Sequence, residues 1–143
     1  MGLLDGEICI RNSCFRCCLD TEMPLTLEDM RRIVRLGYKL DEFAVFKDGL
    51  WRLRNVGGRC VFLDSSGRCK IYKHRPEGCR LYPVIEIDGG CEVDMEVCPY
   101  AHMISIDEFE EACRRVLELN RKLRELSKNI EYINIREALK PND

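Results

Sequence analysis

No apolar run in these 143 residues reaches the 18 or so that a membrane span requires, so no membrane is expected as a partner. Neither sign of charge dominates: 23 basic against 25 acidic side chains leave a formal net charge of −2, with no general pull toward nucleic acid or anionic lipid. There is no glycine-rich loop of the kind that cradles a dinucleotide or triphosphate, and no nucleophile motif behind a Ser/His/Asp arrangement. The acidic cluster Asp107, Glu108, Glu110 and Glu111 crowds one helix start, where the macrodipole and solubility account for it. No catalytic residue is therefore assigned. Histidine is scarce, with only His74 and His102. Repeats, low-complexity tracts and long linkers are missing as well, which leaves one ordinary domain. Met1–Glu7 has no basic start and no apolar stretch suited to export, and Gly6 stands where a myristoylation signal needs Ser or Thr. The expected location is the cytoplasm, where thiols are kept reduced.

Ten cysteines are what the chain does have, and their grouping carries the argument. Cys9, Cys14, Cys17 and Cys18 open it as C-x4-C-x2-C-C; Cys60, Cys69 and Cys79 follow at short intervals, and Cys98 stands further on. Thiolate is the strongest soft ligand a protein owns, so a cluster this dense points to zinc or iron. A disulfide framework is the competing expectation, set aside because no export signal accompanies it.

Local patterning predicts an α+β protein: a small irregular core organised by metal, short strands with a β-hairpin, and a long C-terminal helix. Thr26 reads as the cap of a helix through Leu36, closed by Gly37. Asp41–Phe46 reads as a second short helix, and Asp48-Gly49 turns the chain into a strand over Leu50–Arg54. Cys60–Leu63 is a short apolar strand between turns; Pro83–Ile87 and Cys91–Met95 form a hairpin. Ser105 and Glu108 make a capping box, after which Phe109, Cys113, Val116, Leu119, Leu123, Leu126, Ile130 and Ile133 continue one apolar stripe. The organisation expected is a cysteine-cluster region over 1–104 with a helical segment over 105–143 packed on it. That helix packs on its own core, or, with Asn120 interrupting the seam, pairs with a second copy.

Two thiolates two residues apart converge in a tight turn, and Cys14-Phe-Arg-Cys17 meets that spacing. Cys18 beside Cys17 is awkward for a single ion, because adjacent side chains diverge. Three arrangements stay open: two four-thiolate zinc ions, one iron–sulfur cluster with spare thiols, or a structural group beside a reactive one. From Arg59 to Arg80, six cations face only Asp64 and Glu77, and cations lower the cost of burying a negatively charged thiolate centre. Arg75 and Arg80 are candidates to donate toward the metal loops, Pro76 to start a helical turn that brings Cys79 toward Cys69, and Tyr72 and Tyr82 to shield the site.

The run Cys69-Lys-Ile-Tyr-Lys-His-Arg-Pro-Glu-Gly-Cys-Arg-Leu-Tyr-Pro83 resembles the C-x-I-Y-x-x-R-P-x-x-C-R-x-Y-P signature of the YkgJ-type CxxCxxCC family, proposed zinc- or iron-chelating proteins. The Cys60-Val-Phe-Leu-Asp stretch and Cys98-Pro99 also fit, so the likeness spans roughly residues 9–100. Cys9 is spaced more widely than the family name implies. The resemblance implies metal or cluster binding and a relation to the iron–sulfur flagellin lysine N-methylases. From it and the spacing, the expected ligands are Cys9, Cys14, Cys17, Cys18, Cys60, Cys69, Cys79 and Cys98. Cys113 is expected to be a buried structural thiol on the helix stripe, Cys91 a hairpin residue, and His74 and His102 non-ligands. The function expected is cysteine-ligated binding of zinc or an iron–sulfur cluster, used in redox chemistry, cluster handling or scaffolding. The alternative is a protein-modifying enzyme, or a subunit of one, related to those methylases. A protein partner is left open.

Overall fold

The computed structural model of the protein describes residues 16–139, and three two-residue turns define its strands. Asp48-Gly49, Gly57-Gly58 and Asp88-Gly89 each hold positive φ at both positions, between 53° and 81°. That backbone matches the twist of the flanking strands, which is why Asp-Gly and Gly-Gly are used there. The turns join β1 (Ala44–Lys47) to β2 (Leu50–Leu53), β3 (Asn55–Val56) to β4 (Arg59–Cys60), and β5 (Val84–Ile87) to β6 (Gly90–Val93), all antiparallel. No sheet among the described residues exceeds two strands. Hairpins this small are marginal alone and need helices to lean on.

Those helices are α1 (Leu27–Arg35), α2 (Leu40–Phe43), α3 (Glu77–Leu81), α4 (Ile106–Leu126), α5 (Ile130–Ile133) and α6 (Ile135–Ala138). Single 3-10 turns cover Arg16–Cys18, Tyr72–His74 and Ala101–Met103. The class is α+β. Thr26 and Ser105 cap α1 and α4 in full capping boxes, with Asp29 and Glu108 returning the bond.

Three local expectations need correction. The helix expected over Asp41–Phe46 stops at Phe43, and Ala44–Lys47 becomes β1. Val45 and Phe46 lie opposite Arg52 and Trp51 in that ladder, and the Phe46 and Trp51 rings meet edge-on at 5.4 Å, a cross-strand contact that a helix through Phe46 would forgo. Of the strand expected over Cys60–Leu63, only Cys60 joins a ladder, while Leu63 makes a lone bridge to Cys69. The terminal stripe is not continuous either. The chain leaves the helix after Leu126, and the Asn129 side chain accepts from the Tyr132 N–H to start α5 in a new direction. Ile130 is left 74% exposed and Tyr132 is buried in its place.

Tyr132 then pins the C-terminal segment to the first hairpin. Its hydroxyl donates to the Leu25 carbonyl at 2.7 Å and accepts from the Trp51 N–H at 2.9 Å, while the Trp51 indole donates to the Tyr132 carbonyl at 3.0 Å. Around this pair pack Phe43, Phe62, Leu25, Met30 and Ile33, all fully buried. The buried stripe of α4 (Ala112, Val116, Leu119, Leu123 and Leu126) belongs to the same core, and the helix lies against α3, β5 and β6. Asn120, in the middle of α4, donates to Glu86 of β5 at 3.0 Å. Cys113, expected as a free buried thiol, is half-buried and disulfide-bonded to Cys91 of β6, with Cα atoms 5.8 Å apart. Helical period shows which face Cys113 occupies, but not which hairpin residue lies opposite.

Candidate metal centre

Short turns, not long elements, bring the thiols together. The Arg16–Cys18 turn carries Cys17 and Cys18, and it is zipped to the β3–β4 hairpin by a Leu19–Arg59 bridge and an Asp20 N–H to Gly58 carbonyl bond of 2.8 Å. This sets the vicinal pair beside Cys60 at the end of β4. Asp64 then reverses the chain: its Oδ1 accepts from the Ser66 N–H, the Ser66 hydroxyl and the Arg68 N–H at 2.7–2.9 Å. The reversal, closed by the Leu63–Cys69 bridge, returns Cys69 toward Cys60. Pro76 starts α3, as Pro-Glu-Gly-Cys leads one to expect, and α3 carries Cys79. Cys17, Cys18, Cys60, Cys69 and Cys79 all line one cavity of about 250 Å³, with Met23, Leu53, Phe62, Ile71, Tyr72 and Tyr82 among its other walls.

A buried carboxylate holds the loop before Cys79 in place. Asp29, 2% exposed, accepts from the Glu77 N–H at 3.1 Å and from the Arg32 guanidinium at 2.8 Å through Oδ1, and from the Thr26 N–H at 3.0 Å through Oδ2. Arg32 continues to the His74 and Arg75 carbonyls, and Arg80 donates to those of Lys73 and Arg75. Two guanidinium groups from separate helices therefore tie down three consecutive carbonyls. Arg80 is occupied in this way and exposed, whereas Arg75 lines the cavity. Arg75 stacks on Tyr72 at 4.1 Å and donates to its carbonyl at 3.0 Å.

The thiols feel one another's charge. Cys17, at the exposed mouth, ionises most readily: the hydrogen bond from Cys18 holds its pKa down to about 7 against burial, with help from Arg75. Donating that bond, together with burial and the charges of Cys17, Cys60 and Cys69, raises Cys18 strongly. Burial pushes Cys60 up to about 11 and raises Cys69 and Cys79 as well, while Arg75 pulls the last two back. Arg75 is thus the cation that acts on three thiols of the group at once.

Cys98 stands apart from these five. It is buried, but it is not part of the cavity wall; Tyr82 connects the two, lining the cavity and responding to the charge of both Cys17 and Cys98. The Tyr82 hydroxyl donates to Asp94, whose Oδ1 accepts from the Glu96 and Val97 N–H groups and so shapes the turn that leads into Cys98. Cys9 and Cys14 lie outside the described residues. His74 and His102 are exposed. Among the described residues no three Cys, His, Asp or Glu side chains stand close enough to close on one ion, so the sulfurs surround a space and do not meet at a point. In kind, the donor set suits zinc or iron: it is soft, thiol-rich and compensated by Arg75. The sequence reading missed Met23, Asp29 and Asp94. For Asp29 a signal existed, since Thr26-x-x-Asp29 is a capping pattern, but nothing in it announced the bond to Glu77.

A family model with a proposed zinc- or iron-chelating domain matches residues 8–114. The chain belongs to the CxxCxxCC family. An uncharacterized protein of Methanocaldococcus jannaschii is 38% identical over 80 residues, covering 49% of this chain and 43% of that relative. The matched part is thus under half the relative's length. No solved structure matches. In the CxxCxxCC signature segment, residues 69–83, Cys69, Tyr72, Arg75, Cys79 and Tyr82 all face the cavity. No described helix is long and apolar enough to cross a membrane.

Proposed function

We propose that the cavity is a metal centre held by Cys17, Cys18, Cys60, Cys69 and Cys79, with Cys98, Cys9 and Cys14 as the further thiols of the set, and that it holds an iron–sulfur cluster. The observation that carries this reading is five thiols from four separate segments around one space of about 250 Å³. A four-thiolate zinc site closes tightly on its ion, with Zn–S near 2.3 Å, and has no use for such a space. A cluster fills it, and a cluster has corners enough for the divergent neighbours Cys17 and Cys18. When bound, it supplies one-electron exchange. The protein contributes apolar walls (Leu53, Phe62 and Ile71) that limit water, and Arg75, whose positive charge favours the reduced form. A redox or cluster-handling role follows from this reading.

The test is purification without oxygen, followed by iron, zinc and acid-labile sulfide analysis and a visible spectrum. Iron and sulfide in near-equal amounts with broad visible absorption is the expected result. Colourless protein carrying stoichiometric zinc from an anaerobic, iron-replete preparation overturns it.

A further inference from the structure

The only disulfide among the described residues lies away from the cavity, between the hairpin β5–β6 and helix α4. Cys91 sits directly opposite Glu86 in the hairpin ladder, so both side chains leave the same face of it. That face meets α4: Cys91 bonds Cys113, and Glu86 accepts from Asn120, seven residues or two helical turns further on. Hairpin and helix are thus joined covalently at Cys91 and, at Glu86, by the Asn120 hydrogen bond and an ion pair with Arg124 at 3.6 Å. Only two residues separate Cys91 from Asp94, which orients Tyr82 in the cavity wall and shapes the turn into Cys98. The covalent joint anchors the strand that leads to the Cys98 arm.

We infer that Cys91–Cys113 is a redox lock on that arm: oxidised, it holds β6 to α4 and keeps Cys98 seated beside the metal centre; reduced, it lets the arm move. The part concerning the centre rests on the metal reading above; the lock itself does not. Both cysteines are half-buried at the edge of the core and not sealed within it. The exchange balances with a low-molecular-weight disulfide as oxidant. One protein thiolate attacks RSSR and releases one RS⁻, then the second protein thiolate displaces the other RS⁻ from the mixed disulfide. The two protein thiols are oxidised, RSSR is reduced to two RSH, and the protons pass to the released thiolates.

The experiment compares the full chain, as isolated, with Cys91→Ser/Cys113→Ser and Cys91→Ala/Cys113→Ala. Alkylation and peptide mass analysis after equilibration in glutathione buffers is expected to show these two cysteines linked and reversibly opened. Opening is expected to lower the wild-type Tm by about 10 °C, because a loop closed by 22 residues of separation is released, while the double variants show no such response to reductant. Transfer of the bound metal to a chromogenic chelator is expected to be on the order of tenfold faster from both double variants than from the oxidised wild type. A pair that stays reduced in oxidising glutathione overturns the lock, as does an equal Tm response in the double variants. Metal bound but transferred at equal rates overturns the coupling to the Cys98 arm. Wild type that binds no metal in either state overturns the metal reading instead, and the coupling with it.

Discussion

Replacing Asp29 by alanine removes one side chain and releases three donors at once. The carboxylate is 2% exposed and holds the Thr26 N–H, the Glu77 N–H and the Arg32 guanidinium. Loss of the return bond of the capping box costs about 1 kcal/mol. Loss of a charged acceptor for the partly buried Glu77 N–H costs roughly 1.5–3 kcal/mol. The Arg32 pair adds little, because Arg32 is 31% exposed and water replaces its partner. Neighbouring terms do not add fully, so the expected total is about 3 kcal/mol, more than a hundredfold in the unfolding equilibrium. For a chain this size that lowers Tm by about 10 °C. Urea denaturation at fixed metal content is the assay. Asp29→Asn, which keeps one acceptor oxygen, is expected to lose about half as much, and Arg32→Met less than about 1 kcal/mol. The reasoning is refuted if the alanine variant loses under about 1 kcal/mol. It is equally refuted if Arg32→Met matches it, since the ion pair and not the backbone clamp would then be the stabilising contact.

In metal-free protein, iodoacetamide is expected to label Cys17 before Cys18, Cys60, Cys69 and Cys79, with a rate that rises with pH through about 7, because the lowered pKa populates the thiolate there. Cys18→Ala removes the donor, and the labelling midpoint should move upward toward the ordinary 9.0, which an unchanged midpoint would contradict. Cys18, Cys60, Cys69 and Cys79 all have raised pKa values and are protonated near neutrality in the free protein, so metal binding must expel their protons. Apparent affinity should therefore rise with pH between 6 and 8, and pH-stat titration should record on the order of three to four protons released per centre; release of one or none counts against this ligand set. Gly78→Ala sets a Cβ against the Met23 sulfur, the flexible end of a half-buried side chain that can turn aside, so denaturation should show a change of under about 1 kcal/mol, and a larger loss would contradict this. Tyr132→Phe leaves the Trp51 N–H without its acceptor and the Leu25 carbonyl without its donor, an expected loss of about 2 kcal/mol by the same method.

Legibility from sequence followed the range of the interaction involved. The capping boxes at Thr26 and Ser105, the Asp48-Gly49 and Asp88-Gly89 turns and the helical turn after Pro76 are decided within four residues, and each forms where its residues indicate. The strand at Ala44–Lys47 was hidden because Asp41–Phe46 satisfies a helical pattern until Trp51 is folded opposite Phe46. The break after Leu126 was hidden because Ile130 keeps the helical period while its side chain faces solvent. Within the candidate site, cysteine spacing and the segment over residues 69–83 marked the thiols, but not their separation into five around the cavity and Cys98 beyond Tyr82.

Chemistry was therefore written in the chain itself: soft thiols in turn-rich surroundings, with cations near them. Tertiary structure alone decided the rest. It chose Arg75 and not Arg80 to face the thiols, joined Cys91 to Cys113, and buried Asp29 under the loop before Cys79. The physical reason is that ligand type and turn geometry are properties of neighbouring residues. Which side chains meet across a core depends on packing between segments up to 107 positions apart, as Tyr132 and Leu25 are.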